Sequence, residues 1–585
     1  MKVYWARFIL RGVLLIAVLC LPVKCLFAVS CSVTQHHQPS EADNALLAAD
    51  YAKAAGLYQA GLTSHPGDTE LTIGLVHALL HQQKVQEAAD TVKVSLAVAP
   101  NSAALITLRG EVELRQGMPW IAAQSVYEAR KLDPCNPRNH LLLSDLEELS
   151  SLYASGRKEL EVAHQLDPED PEIRGEWIHT LSLKQRIAET EAYLSAPRGD
   201  DEEDKRQWRA YLDNLKKLSA GPHKTCHLVS SEAATEIPFI KLMRDANHMS
   251  AFGLEVKLND RKARLQIDTG AGGLLVSRSI AEHAGLKPLM QTEIGGIGDE
   301  GFKRGYSAYA NSIRIGNLEF QDCAVEVLDS RDVLEDVDGL IGMDVFSQFL
   351  FTLDYPMHKL LLGPLPQRPG EVATVPGLNT STAEKDDFAA SEEPAREEQQ
   401  DKPVAQGTES VLKAPVTESN ASIPAHNTTV QQTRPHKPYD RYIAAEMKDY
   451  TAVYRVAHNL ILPTALNDGK RRLFILDTGA FTTVISPQAA HEVSKMHSEA
   501  RLQVEGLSGK VEKAYVADEV TFKFAQISRE AEGVLSINTS RISKSVGMEI
   551  TGFLGADTLY FLTIHINYRD GLVKFDYEPN RGYQF

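Results

Sequence analysis

Cysteine is scarce in this chain: six in 585 residues, at Cys20, Cys25, Cys31, Cys135, Cys226 and Cys323, with no Cys-x-x-Cys pair. That spacing suggests neither a zinc site nor a dense disulfide framework. Basic residues are in deficit, 61 Lys and Arg against 78 Asp and Glu, and no basic block follows the N-terminus. The net charge of −17 argues against nucleic-acid binding. Long apolar runs are also missing. The best candidate, Val13 to Leu21, is too short for a comfortable membrane span. Trp5, Trp120, Trp177 and Trp208 all precede residue 235, so intrinsic tryptophan fluorescence is expected to report on that part and be blind to the rest. The length allows several domains, and an apolar share of 43% is enough to give each a core.

Residues 1–30 read as an export signal. Lys2, Arg7 and Arg11 form a basic start, the short apolar run follows, and Ala28-Val29-Ser30 offers a small-residue cleavage site. Cys31 falls where a lipoprotein box would place its lipidated cysteine, although Lys24 interrupts the pattern. Periplasmic or extracellular secretion, an uncleaved anchor and a lipid tether to the membrane all stay open.

A repeat fills residues 40–220. Pro66, Pro100, Pro134 and Pro168 are each 34 residues apart, as 100 − 66, 134 − 100 and 168 − 134 show. Twelve residues before them stand the small Ala54, Ala88, Ala122 and Gly156, and eight before them the apolar Tyr58, Val92, Val126 and Leu160. Small residues let paired helices approach closely, and a proline opens the next pair. Glu202 to Leu218 adds a polar helix suited to cap the array. The period and pattern resemble tetratricopeptide repeats, which implies a concave surface for a protein partner that the residues do not name. A plain helical spacer is the bland alternative. Residues 365–438 are rich in Pro, Ser, Thr, Glu and Gln, with an acidic stretch from Glu384 to Asp401, and read as a disordered linker.

The strongest signal is a doubled frame around that linker. Leu265-Gln266-Ile267-Asp268-Thr269-Gly270-Ala271 is matched by Phe474-Ile475-Leu476-Asp477-Thr478-Gly479-Ala480. Each copy is followed by an apolar run ending in serine, Leu274-Leu275-Val276-Ser277 and Val484-Ile485-Ser486. Each then has two apolar residues and a glycine, Leu340-Ile341-Gly342 and Phe553-Leu554-Gly555, at offsets of 342 − 268 = 74 and 555 − 477 = 78. Asp344 and Asp557 follow those glycines, and their place favours a helix cap or local ion pair over chemistry. Strand-like ends close each frame, Phe351 to Tyr355 and Ile564 to Tyr568.

The doubled frame resembles the retroviral-type (retropepsin-like) aspartic peptidases and, more distantly, the two-lobed pepsins. The resemblance covers both halves after about residue 235, the linker aside. It implies two all-β lobes (retropepsin-like barrels), residues 235–364 and 439–585, behind the all-α array. It further implies Asp268 and Asp477 as catalytic dyad, Thr269 and Thr478 as the groups joining the two loops, and Gly270 and Gly479 as the tight turns. Two carboxyls about 3 Å apart cannot both ionise cheaply, so they share a proton and activate a water. Neither cofactor nor metal is needed. Gly295, Gly296, Ile297 and Gly298 in lobe one, and Gly506, Leu507, Ser508 and Gly509 in lobe two, are candidate flap tips over a polypeptide substrate, with ordinary hairpin turns as the alternative. The expectation is an exported aspartic endopeptidase whose lobes pair within one chain. Its rivals are homodimeric pairing of like lobes, and a non-catalytic binding or assembly protein that works through the array.

Overall fold

A computed structural model describes residues 31–195, 202–220, 224, 226–230, 234–243, 249–329, 337–369, 439–498 and 504–579. The leader at residues 1–30 and most of the expected linker lie outside the described residues.

The N-terminal part is a stack of helices: α1 (Glu41–Leu47), α2 (Tyr51–Ser64), α3 (Thr69–His81), α4 (Val85–Val98), α5 (Ala103–Arg115), α6 (Pro119–Leu132), α7 (Pro137–Leu149), α8 (Tyr153–Leu166), α9 (Pro171–His179), α10 (Leu183–Ser195) and α11 (Glu202–Ala220). The proline spacing marks the turns, since α3, α5, α7 and α9 each begin three residues after one of the four prolines. Side chains of Asp68, Ser102, Asn136 and Asp170 accept backbone N–H bonds and start these same helices. Ala54, Ala88 and Ala122 are fully buried. A Cβ on Gly74 would lie 2.3 Å from the Tyr58 ring, so α2 and α3 touch nearly backbone to ring. Cys31 is bridged to Cys135 across the array.

Two β-lobes follow. In lobe one the strand Arg261–Asp268 runs parallel to Gly339–Gly342, with Gly342 opposite Asp268, and that second strand also lies antiparallel to Leu274–Ser277. Lobe two repeats the arrangement: Arg471–Leu476 runs parallel to Gly552–Leu554, which pairs in turn with Val484–Ile485. The sheet of lobe one begins earlier than residue 235. His227–Leu228 pairs with Phe320 and Gln321, and the Cys226–Cys323 bridge ties it there.

The closing strands of the two frames meet each other. Phe349–Asp354 pairs antiparallel with Thr563–Asn567, from Leu350 opposite Asn567 to Asp354 opposite Thr563. This joins both lobes in one six-stranded sheet. A continuous apolar core runs beneath, from Phe252 and Leu265 in lobe one to Phe474 and Phe575 in lobe two.

The array packs on lobe two. Leu149 of α7 is buried with Ile461, Leu473 and Ile550, and Trp120 packs against the same cluster under the Arg471 guanidinium, 5.0 Å from the ring centre. Trp120 therefore sits at the junction, and its fluorescence reports on lobe two as well as on the array. Glu549 N–H donates to the Arg115 carbonyl at 2.9 Å, and the Asp440 carboxylate accepts from Ser155. The ends of the expected linker converge as well. Arg368, inside its first residues and so placed rather than disordered, and the Tyr442 N–H after it both bond the fully buried Asp570 carboxylate.

These contacts predict that the lobes hold together without a continuous chain. With a protease site engineered within residues 370–438, the cut fragments are expected to co-elute on size exclusion, also under reducing conditions, because each disulfide lies within one domain. Separation of the fragments would contradict the shared sheet.

Candidate active site

Each Asp-Thr-Gly segment sits at the end of a buried strand, where the chain must turn back on itself. The turn is closed locally, with Gly270 N–H donating to Asp268 Oδ1 at 2.8 Å and Gly479 and Ala480 N–H donating to Asp477 Oδ1 at 2.9 and 3.0 Å. The two turns then lock across the lobe boundary. Thr269 N–H donates to Thr478 Oγ1 at 3.1 Å, and Thr478 N–H to Thr269 Oγ1 at 2.9 Å. Each hydroxyl in turn donates to the opposite strand, Thr269 to the Leu476 carbonyl at 2.6 Å and Thr478 to the Ile267 carbonyl at 3.2 Å. Both threonines are buried, so each of these bonds lies out of water.

The lock brings the two carboxyls face to face. A Cβ on Gly270 would fall 2.8 Å from the Asp477 carboxyl carbon, and one on Gly479 would fall 2.3 Å from that of Asp268. Any side chain at either glycine would displace the opposing carboxylate. Burial holds the Asp268 carboxyl well above the ordinary carboxylate range, and the neighbouring Asp477 charge pushes it further the same way. Burial also raises Asp477, against the pull of the Ala480 and Gly479 amides. Two tyrosines, Tyr355 and Tyr560, stack nearby with ring centres 4.6 Å apart. Burial, with both dyad charges adding to it, takes the Tyr560 phenol up to about 12.

Asp344 and Asp557 tie loops together, in keeping with the structural place expected of them. Asp344 Oδ1 accepts from Gly273 N–H at 2.8 Å; Asp557 Oδ1 accepts from the N–H and hydroxyl of Thr483 at 2.8 and 2.6 Å. Each thus fastens the segment after Asp-Thr-Gly to the strand that passes behind it.

The two candidate flap tips meet one another. Ser508 N–H donates to the Ile297 carbonyl at 2.9 Å, Glu300 N–H to the Ser508 carbonyl at 2.9 Å, and Gly296 N–H to the Ser508 hydroxyl at 3.0 Å. A Cβ on Gly296 would lie 2.7 Å from that of Leu507, and one on Gly506 would lie 2.5 Å from the Ile297 carbonyl oxygen. Gly298 and Gly509 have φ of +130° and +85°, which favour glycine; Gly298 packs on the Ser508–Gly509 backbone, and Gly509 faces the Glu300 side chain. Gly295 packs on the Phe302 ring. Arg541 of lobe two donates to the Gly298 carbonyl at 2.7 Å.

Several contacts at this site had no signature in the sequence. Gln266 Nε2 donates to the Gly479 carbonyl at 3.1 Å, linking the lobe-one strand to the lobe-two turn. His458, on the Tyr454–Val456 to Asn459–Leu466 hairpin of lobe two, lies against Gly272 of lobe one. His458 belongs to no motif, and Gln266, though inside the first frame, has no counterpart at Ile475 of the second; both contacts are made by lobe pairing. Among the described residues no group of acids, histidines and cysteines could hold a metal ion.

Removing either threonine hydroxyl costs two crossed bonds and leaves buried partners unpaired. Thr269→Ala and Thr478→Ala are each expected to destabilise the chain by about 1–3 kcal/mol, with serine at either position costing less. Chemical denaturation read against the parent checks both.

Comparisons with known proteins match this architecture piece by piece. The aspartyl protease family model matches residues 254–345 and again 462–558, and a tetratricopeptide repeat model matches 45–112. DNA damage-inducible protein 1 of Neurospora crassa is 28% identical over 111 residues, 19% of this chain and 24% of that protein. UBA domain-containing protein Mud1 of Schizosaccharomyces pombe is 28% identical over 122 residues, 20% of this chain and 35% of that one. The chain thus spans about a third or less of the length of these curated relatives. Among solved structures, a retropepsin-like aspartic protease from Rickettsia conorii is 20% identical, covering 24% of this chain and 96% of its own with a TM-score of 0.17. A thermophilic TPR protein of Thermus thermophilus is 20% identical, covering 28% of this chain and 90% of its own with a TM-score of 0.24. Two segments of the chain are thus each similar to the aspartyl protease family, behind a helical array whose residues 45–112 are similar to tetratricopeptide repeats.

Proposed function

We propose that this protein is an exported aspartic endopeptidase that cuts extended polypeptides with one carboxyl from each lobe. The observation that carries the reading is the Asp268–Asp477 pair, each carboxyl seated against the other lobe's glycine and both raised from the ordinary aspartate value by burial. Held that close, the pair keeps one proton between its members. The ionised member takes a proton from a bound water, which attacks the peptide carbonyl. The protonated member hydrogen-bonds the carbonyl oxygen as charge develops there. The proton taken from water then reaches the leaving amine. Residues 295–298 and 506–509 close over the substrate and keep bulk water from the attack.

A single chain is the working unit in this reading, supported by the strands shared between the lobes and by the crossed threonine bonds. The array recruits a protein partner or the substrate itself. Disulfides persist in oxidising compartments, so the Cys31–Cys135 and Cys226–Cys323 bridges support export to the periplasm or beyond. The first bridge also engages the thiol that lipidation would need, which favours secretion without a lipid at Cys31.

Asp268→Asn and Asp477→Asn keep the shape but remove the shared proton and charge. Each alone is expected to lower cleavage of an unfolded protein by at least about 10³-fold. Loss in only one variant would point to like lobes pairing between chains. A parent that cuts nothing at any pH would favour the binding-protein reading.

The pH dependence follows from the directions of the shifts. Activity needs one proton on the pair, and the upper titration is raised by burial and mutual repulsion. Activity is therefore expected to persist into mildly acidic and neutral pH and to fall as pH rises through that titration. A pH–rate profile of kcat/KM with its whole maximum below the ordinary carboxylate range would contradict this.

A further inference from the structure

We propose that His458 of lobe two is a positioning residue for the reaction at Asp268, holding the Gly270–Gly272 segment of lobe one from across the lobe boundary. The inference rests on the peptidase reading for its consequence in catalysis, but not for the contact itself.

Four observations converge on this side chain. The first is its fit. A Cβ on Gly272 would come within 2.8 Å of His458 Nδ1 and 3.0 Å of Cγ, so the His458 side chain packs directly against bare backbone two residues after Gly270. Gly272 thus leaves a seat that any other residue would fill.

The second is an orphaned nitrogen. His458 Nδ1 is buried without a hydrogen-bond partner. A buried polar atom left unpaired is costly and uncommon, and it is tolerated where the surroundings force the ring into place. Burial pushes the imidazole below its ordinary value, while the Asp344 carboxylate and the Gly270 backbone pull it the other way.

The third is the backbone that delivers the ring. Ala457 and His458 form the two-residue turn of their hairpin, between Val456 and Asn459, and Ala457 has φ of +50°. A first turn position with positive φ favours glycine, so alanine here is strained. The strain is held from outside: Tyr568 donates its hydroxyl to the Ala457 carbonyl at 3.3 Å, and the Arg455 guanidinium lies over the Tyr568 ring, 4.2 Å from its centre.

The fourth is asymmetry. In lobe two, the position four residues past the aspartate is Phe481, which is 62% exposed, where lobe one has Gly272 beneath the imidazole. The lobe-two turn is held instead by Gln266 on the Gly479 carbonyl. The lobes therefore hold each other's catalytic turns with different groups, and the duplication alone does not require His458.

Three variants separate holding from mere packing. Gln places an amide N–H near the position of His Nε2, Asn places one near Nδ1, and Ala leaves the seat empty. Each is compared with the parent by hydrogen exchange of the Gly270–Gly273 amides and by kcat and KM on an unfolded protein substrate. His458→Ala and His458→Asn are expected to speed exchange of that segment by about tenfold, with the rest of the chain unchanged. The same two are expected to lower kcat by about 10²-fold with KM within about twofold, the signature of a misplaced reacting group. His458→Gln is expected to stay close to the parent in both. Unchanged exchange in His458→Ala, or Gln behaving no better than Asn, would overturn the proposal. So would a raised KM at constant kcat, which would make His458 a substrate contact. If His458→Ala does not fold, the Gln and Asn variants decide between the two outcomes. A parent with no cleavage would sink the peptidase reading, while the exchange rates would still decide whether His458 holds the loop.

Discussion

Thr269 and Thr478 hold together two turns whose carboxyls repel one another. Their crossed bonds span the lobe boundary, each threonine giving and accepting with the opposite turn. The other features of the site presuppose that lock. Without it, Gly270 and Gly479 have no opposing carboxylate to admit, and the pair has no reason to share a proton. The penalty of gathering two acids in a dry place is borne by many ordinary contacts: the shared six-stranded sheet, the continuous core beneath it, and the interlocked tips at Ile297 and Ser508.

The duplication sets the plan, and its departures give the site a direction. A glycine stands at or just past the end of the strand behind each turn, Gly342 and Gly555, because the preceding loop passes almost through it. A Cβ there would lie 2.3 Å from the Ala271 carbonyl oxygen in lobe one and 2.4 Å from the Thr482 carbonyl carbon in lobe two. The ties next to those glycines differ. Asp344 accepts from the Gly273 amide, and Asp557 from both the amide and the hydroxyl of Thr483. The helical array adds to the imbalance by packing on lobe two, through Leu149 and Trp120. Lobe two is thus fastened on its outer face, and lobe one is reached through the shared sheet, the turns and the flap tips.

That arrangement bears on how the array could matter to the proposed chemistry. Arg455 lies between the Tyr153 ring of α8, 5.6 Å from its centre, and the Tyr568 ring whose hydroxyl fixes the Ala457 turn. The array is thereby in physical contact with the element that presents His458. Contiguity of this kind becomes a route for coupling where the turn has two arrangements.

Much of the plan was legible in the sequence because it rests on short-range constraints that repeat. A 34-residue period needs only small residues where helices cross and prolines where they turn. Asp-Thr-Gly with its upstream strand and downstream glycine needs only a tight turn beside a buried carboxylate. Both therefore announce themselves in residues close along the chain, and the closing strands Phe351–Tyr355 and Ile564–Tyr568 showed their apolar alternation there too. That those two strands pair with each other was decided only by the tertiary structure, as were the array's seat on lobe two, the meeting of Arg368 and Tyr442 at Asp570, and the place of His458 over Gly272. These contacts join residues up to hundreds of positions apart, by shape and by single hydrogen bonds. No local pattern encodes such a contact, because each partner alone is an ordinary residue and only the folded chain brings the two together.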